Sequence, residues 1–194
     1  QQIERRARGE ASSAPFVPRE RRRAPREAAE AFFPFDRRRA EPARVEPARE
    51  PVERTDLTHW NGHGGFTKDG REYVITTTRA SRTPLPWVNV LANSYFGTVV
   101  SESGGAYSWC ENAHSYRLTP WGNDPIADVS GEAVYLRDED DGRFWSPTPL
   151  PCTGPAPYTT RHGFGYTVFE TTQAGIASEL RTFVATDAPV KFLM

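Results

Sequence analysis

Aromatic rings set beside amides, carboxylates and a guanidinium are the residue types that sugar recognition uses, and one stretch of this 194-residue chain gathers them. Tyr107-Ser108-Trp109-Cys110-Glu111-Asn112 is followed closely by Arg117-Leu118-Thr119-Pro120-Trp121-Gly122-Asn123-Asp124-Pro125. Ring faces cover the apolar face of a pyranose, while amides and carboxylates pair with its hydroxyls. The competing reading is structural, with Trp109 and Trp121 in a core and Asp124 capping a turn. The residue types alone leave both readings open.

Other chemistries lack the spacing they need. The acidic run Asp138-Glu139-Asp140-Asp141-Gly142 is not a helix-loop-helix calcium loop, because from Asp138 the glycine comes one place early and the closing position is Pro149. It reads as a charged hairpin tip. The glycines of Asn61-Gly62-His63-Gly64-Gly65-Phe66 precede no Gly-Lys-Ser/Thr, so they do not form a phosphate loop. They read instead as positions needing unusual angles or close approach of another segment. The four histidines, His59, His63, His114 and His162, form no helical zinc pair, the two cysteines are far apart, and no Gly-x-Ser-x-Gly elbow occurs. No metal site and no resident cofactor are expected.

The elements that would carry these residues are strands. Glu72–Thr78, Gly97–Ser101, Ala133–Arg137, Arg143–Ser146, Gly165–Glu170, Ile176–Leu180, Arg181–Ala185 and Val190–Met194 are short runs rich in β-branched and aromatic residues. Asp140-Asp141-Gly142 supplies a tight hairpin turn between two of them. No window of eleven or more residues in the body holds an apolar helical stripe. Many short strands parted by Gly and Pro predict a mainly β fold, an antiparallel sandwich.

Composition divides the chain. Residues 1–55 hold 14 Arg against 10 Asp or Glu, seven Pro and neither Trp nor Tyr. They read as a disordered Arg/Ala/Glu/Pro-rich linker. Residues 56–194 hold 10 Lys or Arg against 15 Asp or Glu, and all five Trp and seven Tyr. Acidic residues interleave the Arg runs of the arm, so a nucleic-acid partner is not expected. Two cysteines, Cys110 and Cys152, are too few for a disulfide scaffold and suit a reducing, cytoplasmic compartment. The start without Met and the apolar run at 190–194 lead us to expect a piece of a longer chain, with the sandwich incomplete at its C-terminal end.

The body resembles the N-terminal region of the phosphorylases of glycoside hydrolase family 94, formerly glycosyltransferase family 36. The resemblance is carried by Trp60-Asn61-Gly62-His63-Gly64-Gly65-Phe66, Asp69-Gly70-Arg71-Glu72-Tyr73-Val74-Ile75 and Pro84-Leu85-Pro86-Trp87-Val88-Asn89-Val90. It continues through Gly97–Ser103, Arg117–Pro125, Gly131-Glu132, Tyr135–Glu139, Trp145–Pro151, Arg161–Tyr166 and Asp187–Lys191. Within the family the pattern is most similar to the phosphorylase-like part of cyclic β-1,2-glucan synthases. His63, His114, Tyr116 and Thr171-Thr172 depart from it and bear on fine specificity.

The resemblance implies a large β-sandwich, a helical linker and an (α/α)6 barrel holding the general-acid Asp and the phosphate-binding residues. The implied reaction is inverting phosphorolysis of a β-glucan or gluco-oligosaccharide, or its reverse. Inorganic phosphate is its co-substrate, and an acid protonates the leaving oxygen. No catalytic residue is expected in this chain, which alone should be inactive. The sandwich of such enzymes helps shape the substrate site and a homodimer interface. On that basis Arg117, Trp121, Asn123 and Asp124, with Trp109 behind them, are the expected sugar- or interface-facing residues. The resemblance also places a parent's anchorage in the bacterial inner membrane, by regions outside this chain. A free-standing carbohydrate-binding module is the alternative function.

Overall fold

The computed structural model describes residues 54–194. Apart from Arg54 and Thr55, the arm read at 1–55 lies outside the described residues. The described residues contain eleven strands and no helix, in line with the mainly β reading. They are β1 Gly64–Phe66, β2 Glu72–Thr77, β3 Val88–Ala92, β4 Phe96–Ser101, β5 Ala106–Cys110 and β6 Leu136–Arg137. After these come β7 Phe144–Trp145, β8 Tyr158–Gly163, β9 Tyr166–Gln173, β10 Ile176–Val184 and β11 Lys191–Leu193.

Every pairing is antiparallel. One six-stranded sheet runs in the order β1-β2-β8-β9-β10-β11, a second of three strands runs β3-β4-β5, and β6-β7 form a small hairpin. Leu91 of β3, Val100 of β4 and Phe169 of β9 form the buried core between the two larger sheets, with Ala106, Leu180 and Val184 packed around them. The period-2 alternation of β3 puts Leu91 inside while Val88 and Val90 stay more than half exposed. Polar side chains also stitch the sheets. Asn89 donates to the carbonyls of Gly163 and Tyr166, each at 2.9 Å, and Asn93 donates to those of Ala185 and Ala188, each at 2.7 Å.

The Asp-Gly hairpin is present: Leu136 pairs with Trp145, Arg137 pairs with Phe144, and Gly142 takes φ 74°. The sequence split of 176–185 into two strands is corrected, since Ile176–Val184 is one strand. Nothing between Leu180 and Arg181 breaks an extended chain. The real turn is Ala174-Gly175, where both residues take positive φ as a two-residue hairpin loop requires. Strands β1, β3, β5 and β8 were not separately read. β8 carries Arg161 and His162 inside it, and β1 is a Gly-Gly pair, so neither shows the β-branched signature. The Gly64 and Gly65 reading does hold: a Cβ there would come within 2.7 Å of the Val74 carbonyl and 2.8 Å of the Thr58 carbonyl, respectively. Cys110 and Cys152 are both free thiols.

Candidate functional site

The outward face of the three-stranded sheet carries the candidate site. Register pairs Val90 with Val99 and Val99 with Tyr107, so these three lie side by side on that face. Tyr107 stacks on Trp121 with ring centroids 4.9 Å apart and planes 12° from parallel, and Trp109 leans against Tyr107 at 5.4 Å. Trp109 can lie there because its β4 partner is Gly97; a Cβ at that position would be 2.2 Å from the indole. Arg117 bridges Trp109 through the backbone and holds its guanidinium carbon 5.6 Å from the Trp121 ring centroid. Its Nε donates to the Ala113 carbonyl at 3.1 Å.

A groove of about 420 Å³ opens beside this stack, with Trp121, Asn123 and Asp124 on one side and Leu85, Pro86 and Val88 on the other. Trp121 remains 45% exposed, enough for a ligand to reach it. The structure therefore brings Trp121, Asn123 and Asp124 into one lining, while Trp109 and Arg117 reach it only through the aromatic stack. Tyr107, on the floor, was not singled out from sequence, nor were the Leu85–Val88 wall and Asp128. The Pro84-Leu85-Pro86-Trp87-Val88 motif was the available signal for the wall.

Asp124 faces two ways. Its Oδ1 accepts the backbone N–H of Ile126 at 2.9 Å and of Ala127 at 3.1 Å, closing the turn that leads to Asp128. Those N–H bonds hold its carboxyl below the ordinary carboxylate range. Glu132 does not pair with it and is engaged elsewhere. It accepts from Lys191 Nζ at 2.6 Å, Ser108 Oγ at 2.6 Å and Thr119 Oγ1 at 2.9 Å. Burial raises its carboxyl, but these donors outweigh that and leave it low. Neither group is suited to donate a proton to a leaving oxygen at neutral pH.

The far wall is held through the backbone of Trp87. Its N–H donates to Glu102 Oε2 at 2.7 Å, and its carbonyl accepts from Glu102 N and His162 Nε2, both at 3.0 Å. His162 Nδ1 lies 3.0 Å from the Thr167 hydroxyl, which donates to it when the ring is neutral. Burial lowers the His162 pKa to about 4, against the Trp87 carbonyl bond that favours the cation. Burial likewise pushes the Glu102 carboxyl up, opposed by Thr83 and the Trp87 N–H. Among the described residues no cluster of three or more His, Cys, Asp or Glu exists to hold a metal.

Comparison with known proteins agrees with the motifs. The sequence model of the glycosyl hydrolase 94 supersandwich domain matches residues 71–194. The chain is 42% identical over 139 residues to the cyclic beta-(1,2)-glucan synthase NdvB of Rhizobium meliloti (strain 1021), covering 71% of this chain and 5% of that protein. It is 37% identical over 125 residues to the N,N'-diacetylchitobiose phosphorylase of Vibrio proteolyticus, covering 63% of this chain and 15% of the phosphorylase. With the solabiose phosphorylase of Paenibacillus borealis the identity is 31% over 137 residues, covering 67% and 17%. The chain thus spans a small part of the length of each of these relatives.

Proposed function

The chain belongs to glycosyl hydrolase family 94 through its supersandwich domain, and from that premise we propose that it supplies one sugar-facing wall of an inverting β-glucan phosphorylase or cyclic β-1,2-glucan synthase. The observation that carries this reading is the groove in which a part-exposed indole, an amide and a carboxylate share one lining opposite an apolar wall. In this role the exposed part of Trp121 packs against a glucosyl ring, the Asn123 amide donates to or accepts from its hydroxyls, and the Oδ2 of Asp124 accepts from them. Tyr107 and Arg117 hold the Trp121 ring, and Trp109 supports Tyr107.

Inverting phosphorolysis needs an acid on one side of the glycosidic bond and attacking phosphate on the other. Asp124 and Glu132 are both held low, so the work of this groove is to bind and orient. The acid, the contacts to inorganic phosphate and the (α/α)6 barrel belong to the rest of a parent enzyme, which acts on β-glucan or gluco-oligosaccharide and pairs as a homodimer. A cytoplasmic setting for this domain, beside a parent's inner-membrane anchor, accords with the two free thiols.

Titration of the chain with β-1,2- and β-1,4-gluco-oligosaccharides, followed by tryptophan emission, tests the reading. Saturable quenching is expected, with the apparent affinity at least tenfold weaker in Trp121→Ala. An unchanged titration in that variant sinks the site assignment. Affinity as high in the chain alone as in a longer chain that carries the barrel would favour a stand-alone binding module.

A further inference from the structure

Neither wall of the groove can be held by an ordinary strand ladder. On one side Leu85 and Pro86 belong to the run Pro84-Leu85-Pro86, and two prolines in three residues leave it a single backbone N–H. On the other side Trp121, Asn123 and Asp124 lead into a turn that ends at Asp128, where the backbone takes φ 45°. A non-glycine residue keeps that conformation only where its surroundings fix it. Both walls are fastened to one place, Ser101-Glu102-Ser103, where β4 ends. Glu102 is 4% exposed, and its carboxylate spans the Pro-Leu-Pro arch: Oε1 accepts from the Thr83 hydroxyl, and Oε2 accepts from the Trp87 N–H at 2.7 Å. Its own N–H donates to the Trp87 carbonyl at 3.0 Å, and its carbonyl accepts from the Thr160 hydroxyl of β8 at 2.9 Å. Every polar end of the residue is used. The hydroxyls on either side of it, Ser101 and Ser103, both donate to Asp128 Oδ2. Asp128 in turn donates its N–H to the Asp124 carbonyl at 2.9 Å, which closes the turn.

We propose that Ser101-Glu102-Ser103 is the positioning element of the sugar groove, fixing the Leu85–Pro86 wall through Glu102 and the Trp121–Asp124 wall through Asp128, and so setting the gap into which a glucosyl ring fits. This role rests on the groove reading. Glu102 does not itself line the groove, so its effect on a glycan passes through Leu85 and Pro86. The gap matters because ring and aliphatic contacts decay steeply with distance. A wall that backs off by about 0.5–1 Å forfeits roughly a quarter to a half of its attraction. The side chain suits the task, since a carboxylate accepts on both oxygens and one residue can tie both ends of the arch. Gly97–Ser103 was singled out in the sequence as a family motif without a role. Its partners stand at 83, 87 and 128, on separate segments, so no spacing along the chain displays them.

Two measurements on the full chain test this: titration with gluco-oligosaccharides well below Tm, and fluorine NMR of the 5-fluorotryptophan-labelled chain without glycan. Thr83→Val removes one tie and should weaken the affinity about tenfold, while Thr83→Ser, which keeps the hydroxyl, should stay within about twofold of wild type. Glu102→Met keeps the length without acceptors and should lose at least as much as Thr83→Val. Glu102→Gln should recover most of it, because its amide accepts from the Trp87 N–H and donates to the Thr83 hydroxyl. In a Leu85→Ala background, where the wall is already cut back, Thr83→Val should cost less than about threefold, whereas a tie that serves stability alone costs the same in both backgrounds. In the fluorine spectrum Thr83→Val should move the Trp87 resonance, and the pair Ser101→Ala with Ser103→Ala should move that of Trp121. Wild-type affinity in Thr83→Val, or an equal cost in the two Leu85 backgrounds, overturns the proposal. Glycan binding that is lost in Trp121→Ala but kept in Thr83→Val and in the serine pair leaves the groove standing and removes the positioning role. Fluorine shifts without any glycan binding by wild type overturn the groove reading, and the sugar role of the triplet falls with it.

Discussion

Asp124 and His162 show how burial and backbone donors sort titratable groups near the groove. Asp124 was chosen in the sequence for sugar chemistry, and the structure gives it a turn-capping bond set as well. The two readings left open by residue type prove compatible, because a carboxylate has a second oxygen. His162 has a testable consequence. Its folded pKa, about 4, lies below the unfolded value near 6.5. The unfolded chain therefore binds more protons between those values, and stability is complete above about pH 6.5 and falls as pH drops toward 4. The loss is ~3 kcal/mol at most. Glu102 has a raised carboxyl and acts with the opposite sign, its cost appearing as pH rises above the ordinary carboxylate value. Urea unfolding at several pH values should show the slope flattened in His162→Gln relative to wild type. An identical pH profile in the variant would show that the ring is not held neutral. Nothing around His162 in the sequence revealed this, since its partners are a carbonyl 75 residues earlier and a neighbouring strand's hydroxyl.

At the scale of elements, the aromatic stack depends on a missing side chain. Gly97 sits opposite Trp109 in the β4-β5 ladder, and the indole fills the space a Cβ would take. Gly97→Ala is expected to push Trp109 off its strand and loosen Tyr107 and Trp121 with it, costing about 1–3 kcal/mol as overpacking does. Chemical denaturation measures the loss, and a blue- or red-shifted tryptophan emission would report the displaced ring. A stability within 0.5 kcal/mol of wild type, with unchanged emission, would contradict the geometry. The strands legible in the sequence were those with clustered β-branched or aromatic residues or an Asp-Gly turn: β2, β4, the β6-β7 pair, most of β9 and β10, and β11. Those held by polar partners were not legible. β3 owes its place to Asn89 and β8 to its Arg161 fork with Glu72 and Glu170, and those bonds come from segments more than 70 residues away or from the next strand. The site was half legible for the same reason. Trp121, Asn123 and Asp124 share a local run, but their opposite wall arrives from residues 85–88.

Across the whole molecule, the strand order separates neighbours by very different lengths of chain. β8 through β11 form a meander joined by short turns, while β2 pairs with β8 across the 80 residues between Thr77 and Tyr158, a span that contains β3 to β7. Closing that long loop is costly before its contacts form, so local hairpins should hold longest and the β1-β2 end should open first. Hydrogen exchange in mild denaturant is expected to show β9-β10 amides protected beyond those of β2, and the reverse order would refute this. The same separation matters while the protein is being made. A ribosome adding roughly 5–20 residues each second leaves the Val74-Ile75 strand without its β8 neighbour for ~4–16 s after it emerges. For that interval the nascent chain carries a naked apolar ribbon, and whatever shields it during translation governs how much of the domain reaches its finished form.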